Sequence, residues 1–179
     1  MSETQVKLLI DEQTLAQRVE ELASEIAPHC SEVHELVVIG LLKGAFVFMA
    51  DIVRALSRLG VQQRLGFLPA ASYGSRTTSS GSVTLERDLD LDVSGRMVLL
   101  LDDILDTGRT LSAAVRYLRD AGAARVITAV LLDKPSRREI SVEADHVGFS
   151  VPDRFVVGYG IDFAERYRDL PYIAVIEDP

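Results

Sequence analysis

Of its 179 residues none is tryptophan and only Cys30 is cysteine. A single cysteine excludes an intramolecular disulfide and a cysteine-rich zinc site, and makes a reducing cytosol the simplest expected home. No apolar run approaches the roughly 20 residues needed to cross a bilayer, and the opening MSETQVKLL has no apolar signal core. The expectation is a soluble, cytoplasmic protein without membrane contact. Basic residues are also few: 19 Lys and Arg stand against 27 Asp and Glu, for a net charge of −8. No basic cluster exceeds the pair Arg137-Arg138, which argues against a nucleic-acid partner but leaves a nucleotide-like small molecule open. The three histidines, His29, His34 and His146, lack metal-ligand spacing. The length suits one domain, residues 1–179, with a sizeable core.

What is present is an alternation of helical and strand-like apolar patterns. Leu15, Val19, Leu22 and Ile26 recur at helical spacing behind Asp11, a candidate N-cap, and this helix should end near Pro28. Leu36 to Ile39 reads as a strand, Gly40 to Gly44 as its exit loop, Ala45 to Leu56 as a helix and Val61 to Leu68 as a further strand. The Ser/Thr/Gly-rich tract AASYGSRTTSSGS from Ala70 reads as a lid of about residues 70–83. Leu89, Leu91 and Val93 alternate with Asp as a solvated face before the turn Ser94-Gly95. Beyond the central segment come a strand over Val126 to Leu132, a basic loop from Lys134, a short segment His146 to Val151, and the closing strands FVVGYGIDF and YIAVI. Strands alternating with helices predict an α/β fold: a parallel, doubly wound sheet flanked by helices, with a small hood lobe built from the N- and C-terminal segments.

The central segment, Val98 to Leu111, VLLLDDILDTGRTL, carries the most chemistry. Its apolar start suits a strand covered on both faces, and Leu111, Val115 and Leu118 continue at helical spacing. The polar residues between therefore fall at the carboxyl edge of the sheet, where open α/β sheets bind ligands. Backbone N–H groups from Asp106 to Thr110, opening a helix, form a seat for phosphate, and Gly108 permits close approach. Asp102 and Asp103 would repel an anion unless they faced a metal or neutral hydroxyls, and the 2- and 3-hydroxyls of a ribose meet that need. Asp106 lies beyond the ribose as a general base toward the group at the anomeric carbon. The alternative is a solvated acidic turn in which Asp106 or Thr107 caps the helix.

This segment resembles the phosphoribosyl diphosphate binding motif of type I phosphoribosyltransferases. From roughly residue 8 to residue 177 the chain resembles the hypoxanthine-guanine branch, through four motifs in the family's order. The resemblance implies transfer of the 5-phosphoribosyl group from phosphoribosyl diphosphate to N9 of hypoxanthine or guanine, a purine-salvage reaction giving IMP or GMP and diphosphate. It implies Mg2+, and a homodimer or homotetramer. Asp102 and Asp103 become ribose and metal ligands, Asp106 the catalytic carboxylate, and Thr107, Gly108, Arg109 and Thr110 the phosphate seat.

Four further features acquire roles from the resemblance. Lys43-Gly44, otherwise an exposed turn, resembles the diphosphate-binding loop, with a cis peptide before the lysine and Ala45 where many members have Gly or Ser. Ser72-Tyr73 resembles the lid dipeptide that shields an oxocarbenium-like state from water. The preceding strand departs from the pattern, with Gly66 where Asp is usual and Pro69 interrupting the apolar run. Lys134, alone a surface lysine, matches the residue that donates to the purine 6-oxo group and so rejects adenine. Phe155 and Val156 match residues that stack on the base and bond its edge through the backbone, though Phe155 alone would read as core. Asp162 matches a carboxylate near magnesium, diphosphate and base. Arg168 matches a diphosphate-contacting arginine, or pairs with Glu165 on a helix surface.

Two relatives share parts of this pattern. Xanthine-guanine enzymes also carry Asp-Asp, where hypoxanthine-guanine enzymes usually have Glu-Asp, but typically stack the purine on a tryptophan that this chain lacks. RNA-binding pyrimidine operon attenuators share the Thr-Gly-Arg-Thr turn but usually place an aromatic residue where Asp106 stands.

Overall fold

The computed structural model describes residues 6–31, 33–71, 84–85, 89 and 91–177. A main sheet runs in the order β4-β3-β2-β5-β6-β7, from β2 (Leu36–Leu42), β3 (Gln63–Ala71), β4 (Thr84–Leu85), β5 (Met97–Leu105), β6 (Arg125–Asp133) and β7 (His146–Ser150). Its five larger strands are parallel, and β4 adds antiparallel at Ala70 and Ala71. Successive residues of the central strands point to opposite faces, so each strand feeds two cores. Val38 and Leu99 join the core under α1 (Glu12–Ile26) and α2 (Phe46–Arg58), while Val37, Val98 and Leu100 join the one under α3 (Arg109–Asp120). The doubly wound expectation is met.

Asp11 caps α1 as the sequence predicts, accepting a hydrogen bond from Thr14 N at 2.7 Å. A 3-10 turn from Ala27 carries the chain past Pro28. Pro69 does not end β3, because β2 holds that strand on one side and its other edge has no paired strand before Ala70 among the described residues. Gly66 is smaller than the family pattern for a local reason: a Cβ there would lie 2.9 Å from both Ile39 Cδ1 and Leu91 Cδ1.

The hood is a three-stranded antiparallel sheet in the order β1-β9-β8, formed by β1 (Val6–Ile10), β8 (Phe155–Val157) and β9 (Ile173–Ile176). The chain thus opens with a strand that periodicity does not reveal, since β1 is largely exposed. The FVVGYGIDF segment is a strand only through Val157. Gly158 and Gly160 have φ of 98° and 100°, and the chain turns there instead of extending. ERYRDL is not helical. Ala164, Glu165 and Tyr167 all take positive φ, a cluster of conformations that non-glycine residues adopt only where their surroundings enforce them.

Candidate active site

The exits of β2 and β5 converge with the hood turn after β8 on a cleft of about 710 Å³. It is lined by Lys43, Gly44, Asp102, Asp103, Asp106 to Thr110, Asp162 and Arg168, so eleven of the expected site residues meet there. The two carboxylates are carried inside β5 rather than after it, because β6 pairs with β5 as far as Leu105 and Asp133. Backbone packs tightly around them. A Cβ on Gly44 would overlap Asp103 Oδ2 and sit 2.8 Å from Oδ1, and one on Gly160 would strike the Gly44 carbonyl. The peptide between Leu42 and Lys43 is cis.

Asp102 is 6% exposed, and burial followed by the neighbouring charge of Asp103 pushes its carboxyl well above the ordinary range. Burial also raises Asp103, opposed by its hydrogen bond with Asp102, by backbone N–H groups and by the Arg168 guanidinium. Asp103 N donates to Asp102 Oδ1 at 3.0 Å. A buried carboxylate and a half-buried one side by side favour a proton or a cation between them. Among the described residues no three His, Cys, Asp or Glu side chains gather closely enough to hold a metal by themselves. Asp162 is drawn instead to Arg168 Nη2 at 2.8 Å and to Glu165 N at 2.8 Å.

The turn expected to seat phosphate opens α3 through Gly108, at φ 87°, without a side-chain cap. Thr107 Oγ1 lies 3.4 Å from Arg109 N, and the Asp106 carboxylate turns away to accept from Arg137 Nε at 2.9 Å. Asp106 is therefore not the helix cap of the alternative reading. A loop that the sequence marks only as basic is stitched onto this turn. Lys134 N donates to Leu105 O at 3.0 Å, Glu139 N and Ile140 N donate to Thr107 O, and Arg138 reaches the carbonyls of Leu105 and Asp106 and the carboxylate of Asp133. Arg109 pairs with Glu139 at 2.7 Å. The missed residues, Arg137, Arg138 and Glu139, had one usable signal: exit loops of adjacent parallel strands meet at the same sheet edge.

Lys134 lines no part of the cleft but stands beside it, 7% exposed. Burial lowers its pKa, opposed by the charges of Asp106 and Asp153. Phe155 and Val156 lie on β8, also outside the cleft wall. Phe155 is 42% exposed and edge-on to Phe163 at 5.2 Å, whereas the Val156 side chain is buried in the core, leaving only its backbone for a ligand. Lys43 pairs with Glu165 at 3.2 Å, and Arg168 donates to Gly160 O and pairs with Asp162 and Glu165 while its buried Nε has no partner among the described residues. A second link, between the Tyr159 hydroxyl and Asp51, ties the hood turn to α2. Ser72, Tyr73 and most of the expected lid lie outside the described residues.

The phosphoribosyl transferase domain family matches residues 5–164. The chain belongs to the phosphoribosyltransferase family. Within that family it is 46% identical over 173 residues to the hypoxanthine-guanine phosphoribosyltransferase of Aquifex aeolicus, covering 97% of this chain and 96% of that one. Against the enzyme of the same name from Bacillus subtilis the identity is 45% over 171 residues, covering 96% and 93%. A crystal structure of a Bacillus anthracis hypoxanthine-guanine phosphoribosyltransferase with HEPES in its active site superposes with a TM-score of 0.88 at 40% identity, covering 96% of this phosphoribosyltransferase and 99% of that chain.

Proposed function

We propose that this phosphoribosyltransferase transfers the 5-phosphoribosyl group of phosphoribosyl diphosphate to N9 of hypoxanthine or guanine. The observation that carries the base assignment is the placement of Lys134 and Asp106 at adjacent strand exits, one a largely buried lysine whose pKa burial lowers, the other a carboxylate whose charge opposes that shift. A 6-oxopurine presents an acceptor, O6, next to a ring nitrogen that can carry a proton, N7, along one edge. An amino group at position 6 would leave the ammonium unsatisfied and is rejected.

In this reading the phosphate seat from Asp106 to Thr110 holds the 5-phosphate, while Lys43, Gly44 and Arg168 face the diphosphate. Asp102 and Asp103 hold the ribose hydroxyls. N9 forms its bond to the anomeric carbon as the bond to diphosphate breaks, and Asp106 accepts or holds the proton on N7. The donor set suits Mg2+, which binds one or two carboxylates and takes its other oxygens from water and substrate phosphates, and would neutralise charge on the departing diphosphate. Asp102 and Asp103 would hold it with the substrate, with Asp162 near.

The test is turnover of hypoxanthine, guanine, xanthine, adenine and uracil with phosphoribosyl diphosphate and Mg2+. Conversion of hypoxanthine and guanine with no conversion of adenine or uracil is expected. Preferential turnover of xanthine would assign the chain to the xanthine-guanine branch. Absence of turnover with tight binding to structured RNA would sink the enzyme reading.

A further inference from the structure

We propose that Arg137 is a positioning residue for Asp106, holding one oxygen of that carboxylate so that the other faces the purine. The inference rests on the proton-accepting role given to Asp106 above.

Arg137 Nε donates to Asp106 Oδ1 at 2.9 Å, and its Nη1 lies 3.7 Å from Asp153 Oδ1. The guanidinium thus faces two carboxylates, hydrogen-bonded to Asp106 and in looser ionic contact with Asp153. An Arg donor to a carboxylate is charge-assisted and directional, and a free carboxylate on a turn would otherwise rotate among several orientations. Because Oδ1 is engaged, Oδ2 is the oxygen left for a ligand proton. Lys134, the proposed reader of O6, sits at the start of the same short turn, and Arg137 N donates to its carbonyl at 3.1 Å. One loop therefore sets both the donor for O6 and the orientation of the acceptor for N7.

The contact is separable from folding. The loop is fastened to the phosphate turn by Lys134 N, Glu139 N and Ile140 N and by the Arg138 side chain, none of which involves the Arg137 side chain. Arg137 is itself half exposed, so its replacement leaves no cavity.

The experiment is a double-mutant cycle on kcat and KM with hypoxanthine and phosphoribosyl diphosphate, using Arg137→Met, Asp106→Asn and the double variant. Arg137→Met should lower kcat roughly 5- to 20-fold, in keeping with loss of one hydrogen bond to a charged group at a part-exposed position. The KM for phosphoribosyl diphosphate should stay within about twofold. In the Asp106→Asn background the same substitution should change kcat less than about twofold. Arg137→Lys, which keeps the charge without the Nε–H geometry, should recover part of the loss and serves if the methionine variant folds poorly. Equal losses from Arg137→Met in both backgrounds, or no loss in the native one, would overturn the proposal. Full kcat in Asp106→Asn alone would instead remove the proton-accepting role, so the two failures are told apart.

Discussion

Asp103 fills the space in which a side chain on Gly44 would stand. The Lys43-Gly44 loop and the Asp103 carboxylate are therefore packed as one unit, and Gly44 is glycine for lack of room. Gly44→Ala must displace either the loop or the carboxylate. We expect kcat/KM for phosphoribosyl diphosphate to fall on the order of 100-fold, with a stability loss of about 1–3 kcal/mol from overpacking. Steady-state kinetics and thermal unfolding of the purified variant measure both.

Asp102 gives a pH prediction with a definite sign. Its carboxyl is raised in the folded state by burial and by Asp103, so the folded protein holds that proton more tightly than the unfolded chain does. This group therefore lowers stability progressively as pH rises from about 4, the unfolded value, through its raised folded pKa. Asp102→Asn escapes that loss. In the absence of ligands its Tm should exceed that of the native protein at pH 8, with the gap closing near pH 4, while phosphoribosyl diphosphate binding weakens. A Tm gap independent of pH would disprove the assignment.

Lys134→Gln removes a buried cation. Burial lowers the lysine pKa, so its charge costs stability at neutral pH and the cost is relieved only as pH rises through that lowered value. The variant should have an unchanged or higher Tm at pH 7, yet a KM for hypoxanthine raised about tenfold or more, with the KM for phosphoribosyl diphosphate nearly unchanged. Equal purine affinity would return Lys134 to a structural role.

Gly108→Ala tests the phosphate turn. The residue has φ 87°, and a Cβ would meet Val142 Cγ1 at 2.5 Å and Arg138 Cδ and Ile140 O at 3.2 Å. Left-handed strain and a clash with the 134–140 loop should together cost about 2–4 kcal/mol of stability. Binding of ribose 5-phosphate, followed by calorimetry, should weaken as the N–H groups tilt.

The sequence discloses what short-range patterns encode. The apolar run ending in Asp102-Asp103, the Gly-opened helix and the Asp11 cap all appear where the residues predict them, because each depends on neighbours within a few positions. Long-range partners leave no such trace. Arg137 and Asp106 are 31 positions apart, and Lys43 and Glu165 are 122 apart, so only the folded chain reveals that they meet. β1 is hidden for a different reason: its exposed residues owe their strand conformation to pairing with β9, at the other end of the chain. The turns after Val157 are equally opaque, since apolar content there suggests extension and only the two glycines mark where it stops.

The hood's middle strand is synthesised after both of the strands it joins. β9 lies between β1, near the start of the chain, and β8, so neither neighbour has its full complement of backbone partners until Ile173 to Ile176 arrive. A nascent chain halted before Ile173 already contains both carboxylates of β5, the phosphate turn and Lys134, but lacks the strand that braces β8 and the turn bearing Asp162 and Arg168. The main sheet can assemble while translation is under way, whereas the hood beside the cleft is complete only once Ile176 has been made.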